Sequence, residues 1–319
     1  MQTVRVVSVM MRAVTALLAL VWLQIAPATA QGLSARNLPA ALSQAGRGWM
    51  AVGRLEVAAT AGNPQSFCTV SLIAEGRALT AAHCVIDRRT GRSLPPSAMQ
   101  VRLGLQNGRA EASRRVEGVL LPAGVGAAVQ ADAHETGNGG AALRLVPLDL
   151  AILSLDSPVR LPQIAPLPPA SNGSNGSMDG RLLSVVSYAR GRSEVAALQD
   201  DCRLITPRPD GSLVLTCEVA EGASGAPVLV MEPDGPRIVA VVSARAEITA
   251  ESGERLQVAL AVPMAGEVAQ ELLRVAEDPG AVAGAAQERV GVRIRRPAVG
   301  TSNGTGNGAG AGGARFVRP

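Results

Sequence analysis

Short apolar runs, each closed off by Gly, Pro, Asn or Asp, recur along almost the whole body of this chain. They occupy residues 50–57, 70–74, 99–105, 116–121, 148–155, 182–188, 212–216, 226–231, 238–243 and 256–262. Runs of this length suit strands, and many short strands with turn residues between them predict an all-β sandwich or barrel. The sequence is 47% hydrophobic but only 2% aromatic, so Val, Leu, Ile and Ala must fill the core. Helical spacing is rare. Its clearest case is 264–276, where Val268, Leu272, Leu273 and Val275 share a face and Asp278-Pro279-Gly280 stops the helix. Residues 106–140 read as surface loop around one or two strands, with His134 as an exposed loop histidine. Residues 168–180, Pro-rich and then Ser-Asn-Gly-Ser-Asn-Gly, read as a flexible connector between two halves.

The ends of the chain are of another kind. Residues 1–30 read as a signal peptide: Arg5 and Arg12 flank the start of an uncharged apolar run over 13–25, and Ala28-Thr29-Ala30 offers the small-x-small cleavage pattern. That run is shorter than the roughly 20 residues needed to cross a bilayer, so export is expected and no stable membrane anchor after cleavage. Residues 279–319 read as a basic, Gly-rich, disordered tail. The body between, 31–278, carries twenty-two Arg against twenty-five Asp plus Glu, so the overall charge of +4 comes from the ends. With almost no aromatic surface for stacking bases, nucleic acid is not an expected partner. Four cysteines behind a leader favour disulfides. Cys68 with Cys84 and Cys202 with Cys217 are the natural local pairs, at separations of 16 and 15 residues. There is no Cys-x-x-Cys and only two histidines, so a structural zinc site has nothing to build on, and no cofactor is expected. A secreted or periplasmic location follows. No motif speaks to oligomeric state.

Three segments carry chemistry, in the order His, Asp, Ser. They are Leu79-Thr80-Ala81-Ala82-His83-Cys84, then Leu148-Asp149-Leu150-Ala151-Ile152-Leu153, then Glu221-Gly222-Ala223-Ser224-Gly225-Ala226-Pro227. Each alone has an ordinary explanation: a buried loop corner, a turn cap, a common turn sequence. Their combination in this order, 66 and 75 residues apart, is what singles them out. Here the chain resembles the trypsin-like (chymotrypsin-fold) serine proteases over about residues 46–276. Thr-Ala-Ala-His-Cys stands intact, as does the Asp-Leu-Ala-Ile-Leu strand, and the family's Gly-Asp-Ser-Gly-Gly-Pro stands as Gly-Ala-Ser-Gly-Ala-Pro. The Cys68–Cys84 spacing matches the family's bridge beside the catalytic histidine.

The resemblance implies two six-stranded antiparallel β-barrels, about 46–165 and 180–262, closed by a C-terminal helix. It implies a serine endopeptidase acting on protein or peptide substrates, with His83, Asp149 and Ser224 as the catalytic triad. A serine hydroxyl is a weak nucleophile, so an imidazole takes its proton, and a buried carboxylate fixes the ring's tautomer. The backbone N–H groups of Gly222 and Ser224 are the implied oxyanion hole. One departure stands out: Ala223 occupies the place of the Asp that, in the family, receives a newly cut N-terminus. Activity independent of such a cut is therefore expected. Glu218, six residues before Ser224, falls near the base of the specificity pocket; it selects a basic side chain there, pairs internally, for instance with Arg245, or faces solvent. Ser243-Ala244-Arg245 matches the substrate-binding strand, with Ser243 supporting Asp149 and Arg245 attracting acidic side chains or narrowing the cleft. The alternative is a catalytically inactive, binding-only protein retaining the fold.

Overall fold

The computed structural model describes residues 36–37, 49–60, 65–134, 146–170, 178, 180–249 and 253–277. The leader, the tail and residues 171–177 of the expected connector lie outside the described residues. Chain contacts divide the molecule into two units, 1–34 and 35–319, and everything described belongs to the second.

Six antiparallel strands form a closed barrel: β2 (Val52–Val57), β3 (Ser66–Ala74), β4 (Arg77–Thr80), β5 (Met99–Leu103), β6 (Ala112–Leu120) and β7 (Ala151–Leu155), in the order β2-β3-β4-β7-β6-β5. Period-two alternation sets its inside. On β5, Met99, Val101 and Leu103 are buried while Gln100 and Arg102 face outward; on β2, Leu55 and Val57 are buried while Arg54 and Glu56 are half-buried. Closure leaves these strands no free edge. Leu55, Leu72, Leu79, Ile152 and Leu153 are fully buried, and truncating any one to alanine costs about 2–5 kcal/mol.

An eight-stranded antiparallel sheet makes up the other half. Its members are β1 (Arg36–Asn37), β8 (Leu183–Ala189), β9 (Arg192–Cys202), β10 (Leu204–Pro207), β11 (Leu213–Leu215), β12 (Pro227–Glu232), β13 (Gly235–Thr249) and β14 (Arg255–Pro263). The order is β1-β9-β8-β12-β13-β14-β11-β10. The fold is thus mostly β as expected, with one barrel closed and the second half an extended antiparallel sheet. All ten apolar runs fall on strands. β1, β4, β9 and β10 were not anticipated, because their charged and polar residues interrupt the apolar signal.

Two helices complete the described chain. α2 (Glu267–Ala276) is the expected C-terminal helix, begun later than residue 264 because the Met264 N–H is still bonded to the Val239 carbonyl at 2.8 Å. It buries Ala269, Leu272 and Ala276. α1 (Val125–His134) lies where loop was expected, and His134 ends it. Its Ala-rich sequence gives little apolar contrast; Val125 and Val129, one turn apart, are what it buries, and Gln130 Nε2 donates to the Arg89 carbonyl at 3.0 Å. The start of the connector is held to β13, with the Ala170 N–H on the Ile238 carbonyl at 2.8 Å.

Both expected disulfides are present, Cys68–Cys84 and Cys202–Cys217. The second closes the β10–β11 hairpin, whose tip is held by Asp210 Oδ1 accepting from the Ser212 N–H at 2.9 Å and its hydroxyl at 2.6 Å. Replacing Cys202 and Cys217 together by serine should lower the unfolding free energy by about 3 kcal/mol on the chain-entropy account. A urea titration reads this as an earlier midpoint; an unchanged midpoint contradicts it.

The halves are joined by polar contacts. Arg54 Nη1 on β2 donates to Glu194 Oε1 at 2.6 Å and to the Ser193 carbonyl at 2.9 Å, and its guanidinium lies 5.6 Å from the Phe67 ring centre. The Tyr188 hydroxyl donates to the Leu105 carbonyl at 3.1 Å.

Candidate active site

His83 lies in a single 3-10 turn, Ala82–Cys84, directly after β4. Asp149 lies just before β7. The two strands are paired with Thr80 opposite Ala151, so running that antiparallel register on by two residues brings position 149 across from 82, beside His83. The side chains meet accordingly. Asp149 Oδ1 accepts from the His83 backbone N–H at 2.9 Å, and Oδ2 lies 2.7 Å from Nδ1 of the ring. The Ser243 hydroxyl donates to the same Oδ2 at 2.5 Å. The β13–β14 register slips between Val242 and Ala244, and this bulge at Ser243 is what turns its hydroxyl out of the ladder toward Asp149.

Asp149 is fully buried. Burial by itself would raise its carboxyl. Electrostatic attraction to His83, hydrogen bonds from that ring and from Ser243, and the His83 backbone N–H outweigh it and hold the group below the usual carboxylate value. The ring's other nitrogen, Nε2, lies 3.8 Å from Cys84 Sγ, and among the described residues no hydrogen bond joins it to Ser224.

Ser224 comes from the second half, on the turn before β12, yet it is held by the first. The Thr69 N–H on β3 donates to the Ser224 carbonyl at 2.9 Å. Gly225 is pressed so closely on the barrel that a Cβ there would stand 2.3 Å from the Thr69 carbonyl oxygen and 3.0 Å from the Ala81 nitrogen. Ala81 is two residues before His83, so the turn bearing Ser224 abuts the segment that carries the ring. Cys68–Cys84 ties β3, whose Thr69 holds the Ser224 carbonyl, to the segment that carries the ring, since Cys68 precedes Thr69 and Cys84 follows His83.

The peptide groups of this turn are almost fully occupied. The Glu221 carbonyl accepts from the Arg190 N–H at 2.7 Å, the Gly222 carbonyl from the Thr69 hydroxyl at 2.9 Å, and the Ala223 carbonyl from the Ala226 N–H at 3.0 Å. The Ala223 N–H goes to Ala220 and the Gly225 N–H to Val242, at 3.0 and 2.8 Å. Within 222–226, the N–H groups of Gly222 and Ser224 are the two that no described acceptor takes. Gly222 has φ +95°, and a Cβ on it would stand 2.3 Å from the Phe67 ring, so position 222 admits no side chain.

The other expected site residues are also placed. Glu218 is half-buried, its N–H bonded to Gln199 Oε1 at 2.9 Å. Arg192 lies within reach of its charge: burial lowers the Arg192 guanidinium and Glu218 opposes that. Glu218 thus has an internal cation in its field, which weakens a basic pocket built on it alone. Arg245 sits half-buried on β13 opposite Ala259. Arg192, Thr69 and Arg190 were not anticipated, because nothing in their local sequence separates them from ordinary strand and turn residues. Cys68, His83 and Cys84 bring ligand-type atoms within 4.8 Å of one another, but the two sulfurs are bonded together and offer no thiolate to a metal.

A family model described as the trypsin-like peptidase domain matches residues 68–235, a little over half of the chain. Comparison with curated proteins returns no significant match.

Proposed function

The chain belongs to the trypsin-like peptidase family, and from that premise we propose that it is an exported serine endopeptidase with His83, Asp149 and Ser224 as its triad. Peptidase membership implies protein or peptide substrates. In the proposed reaction Ser224 Oγ attacks the carbonyl carbon of the scissile bond while its proton passes to His83 Nε2. The C–N bond breaks, that proton leaves with the amine, and an acyl-enzyme ester remains; water, deprotonated by the same ring, then hydrolyses it. Asp149, fully buried and bonded to Nδ1, holds the ring with Nε2 facing outward and balances its transient positive charge.

The observation that carries this reading is the pair of unclaimed N–H groups on Gly222 and Ser224, in a turn whose other peptide groups are engaged. Two donors left open with one residue between them suit an oxyanion, and losing one such donor in comparable sites costs about 3–4 kcal/mol of transition-state stabilisation. That no hydrogen bond joins Ser224 Oγ to Nε2 among the described residues accords with catalytic hydrogen bonds that form only on substrate binding. Purified protein should take up a fluorophosphonate on Ser224, located by peptide mass spectrometry. Folded protein that stays unlabelled sinks the proposal.

Two disulfides suggest an oxidising, extracytoplasmic location, and no helix among the described residues is long and apolar enough to cross a membrane. Residues 1–30 as a cleaved signal peptide and 279–319 as a tail outside the catalytic body, with 31–278 as the peptidase domain, complete the proposed organisation. Because Ala223 has no carboxylate to receive a new N-terminus, protein carrying an extended, blocked N-terminus should label at a rate within about twofold of the trimmed form. Labelling that requires trimming contradicts this.

A further inference from the structure

We propose that Thr69 is the positioning residue that holds the oxyanion-binding turn in working shape without an inserted N-terminus; this rests on the hydrolase reading above. Gly222 is the weak point of the turn. Glycine has the widest conformational freedom of any residue, and at φ +95° its N–H keeps one direction only if the peptide planes on both sides are held. The plane before it is held at the Glu221 carbonyl by the Arg190 N–H. The plane after it is held at the Gly222 carbonyl by the Thr69 hydroxyl, at 2.9 Å. An aspartate at position 223 paired to an N-terminus would stabilise this stretch from the other side; Ala223 makes no such pair.

Thr69 is built for the task. It is fully buried, and each of its polar groups is engaged in or beside the turn. Its N–H reaches the Ser224 carbonyl at 2.9 Å, and its own carbonyl accepts from the Thr80 hydroxyl at 2.8 Å. The Tyr188 N–H donates into Thr69 Oγ1 at 3.0 Å, which leaves the hydroxyl's one hydrogen to be given away. It goes to the Gly222 carbonyl at 2.9 Å in preference to the Tyr188 carbonyl at 3.3 Å. One residue of the barrel therefore fixes the two carbonyls that flank Ala223, and with Arg190 holding the plane that carries the Gly222 N–H, the glycine cannot rotate away from its aim.

The test compares Thr69→Val, of the same shape without the hydroxyl, with Thr69→Ser, which keeps it. Hydrolysis of p-nitrophenyl acetate and the rate of fluorophosphonate labelling are measured, since both reactions build negative oxygen in the oxyanion hole. Thr69→Val should lower kcat and the labelling rate by about tenfold to a hundredfold, with KM changed less than about threefold, which is part of the loss seen when an oxyanion donor is removed outright. Thr69→Ser should recover most of it. If the valine variant does not fold, Thr69→Gly, which leaves no apolar methyl against the two orphaned groups, is read in its place. Wild-type kcat in the variant without the hydroxyl overturns the role of Thr69, as does an equal loss in the serine variant. Wild-type protein that takes no fluorophosphonate overturns the hydrolase reading instead.

Discussion

Ser224→Ala should abolish fluorophosphonate labelling and lower kcat for peptide hydrolysis by roughly 10^4- to 10^6-fold, the range seen when a triad nucleophile is removed. The expectation is sharp because the fold does not depend on the hydroxyl. What anchors Ser224 is its backbone, through the Thr69 N–H on its carbonyl, and alanine keeps that bond. Urea unfolding of the variant should therefore overlay that of the unsubstituted protein, separating lost chemistry from lost structure. Residual labelling at another serine, or hydrolysis within tenfold of the original, would remove Ser224 from its proposed role. A variant that unfolds would instead contradict the premise that the fold does not depend on the hydroxyl.

Asp149→Asn should cost about 10^4-fold in kcat near neutral pH, the loss known for this change in such triads. The carboxylate here accepts three hydrogen bonds and donates none: two from His83 and one from Ser243. An amide matches at one oxygen and fails at the other, where its NH2 meets the Ser243 hydroxyl and whatever Nδ1 presents. The ring then satisfies that NH2 by turning its lone pair to it, which puts the proton on Nε2 and leaves nothing to accept the Ser224 hydrogen. The same substitution carries a pH signature. Because the folded Asp149 carboxyl lies below its ordinary value of about 3.9, its stabilisation is complete above that value and is lost as pH falls through the lower, folded one. The unsubstituted protein should lose stability on acidification below about pH 4 more steeply than Asp149→Asn. Equal acid limbs in the two proteins would show that this carboxylate is not held low.

Much of this was legible before any geometry. The closed barrel was readable because β2 and β5 alternate buried and outward residues, and because their turns are marked by Gly, Pro and Asn. Both disulfides were readable because each closes a short loop, and the second spans a hairpin marked by Pro209-Asp210-Gly211. α1 was not: a helix of four Ala, one Gly and three polar residues with only two valines has too little contrast to announce itself. β4 escaped because it is short and begins at Arg77, although its register with β7 is what delivers His83 to Asp149.

At the candidate site the division follows the range of the interactions. His83, Asp149, Ser224 and Gly222 stand in motifs where residue type and immediate neighbours carry the information, so the sequence by itself determined which groups are the candidates for reaction. Only the tertiary structure decided how they are held. Thr69 sits 153 residues from Gly222 and Ser243 sits 94 from Asp149, and each hydroxyl finds its acceptor only after barrel and sheet have packed. Glu218 likewise acquires a cation from the β8–β9 hairpin that no local pattern assigns to it. A hydrogen bond acts over about 3 Å, whereas sequence proximity says nothing about contacts across two halves of a fold. That is why the candidate reacting groups could be named from their motifs, and Ser243 from the resemblance, while Thr69, Arg190 and Arg192 could not.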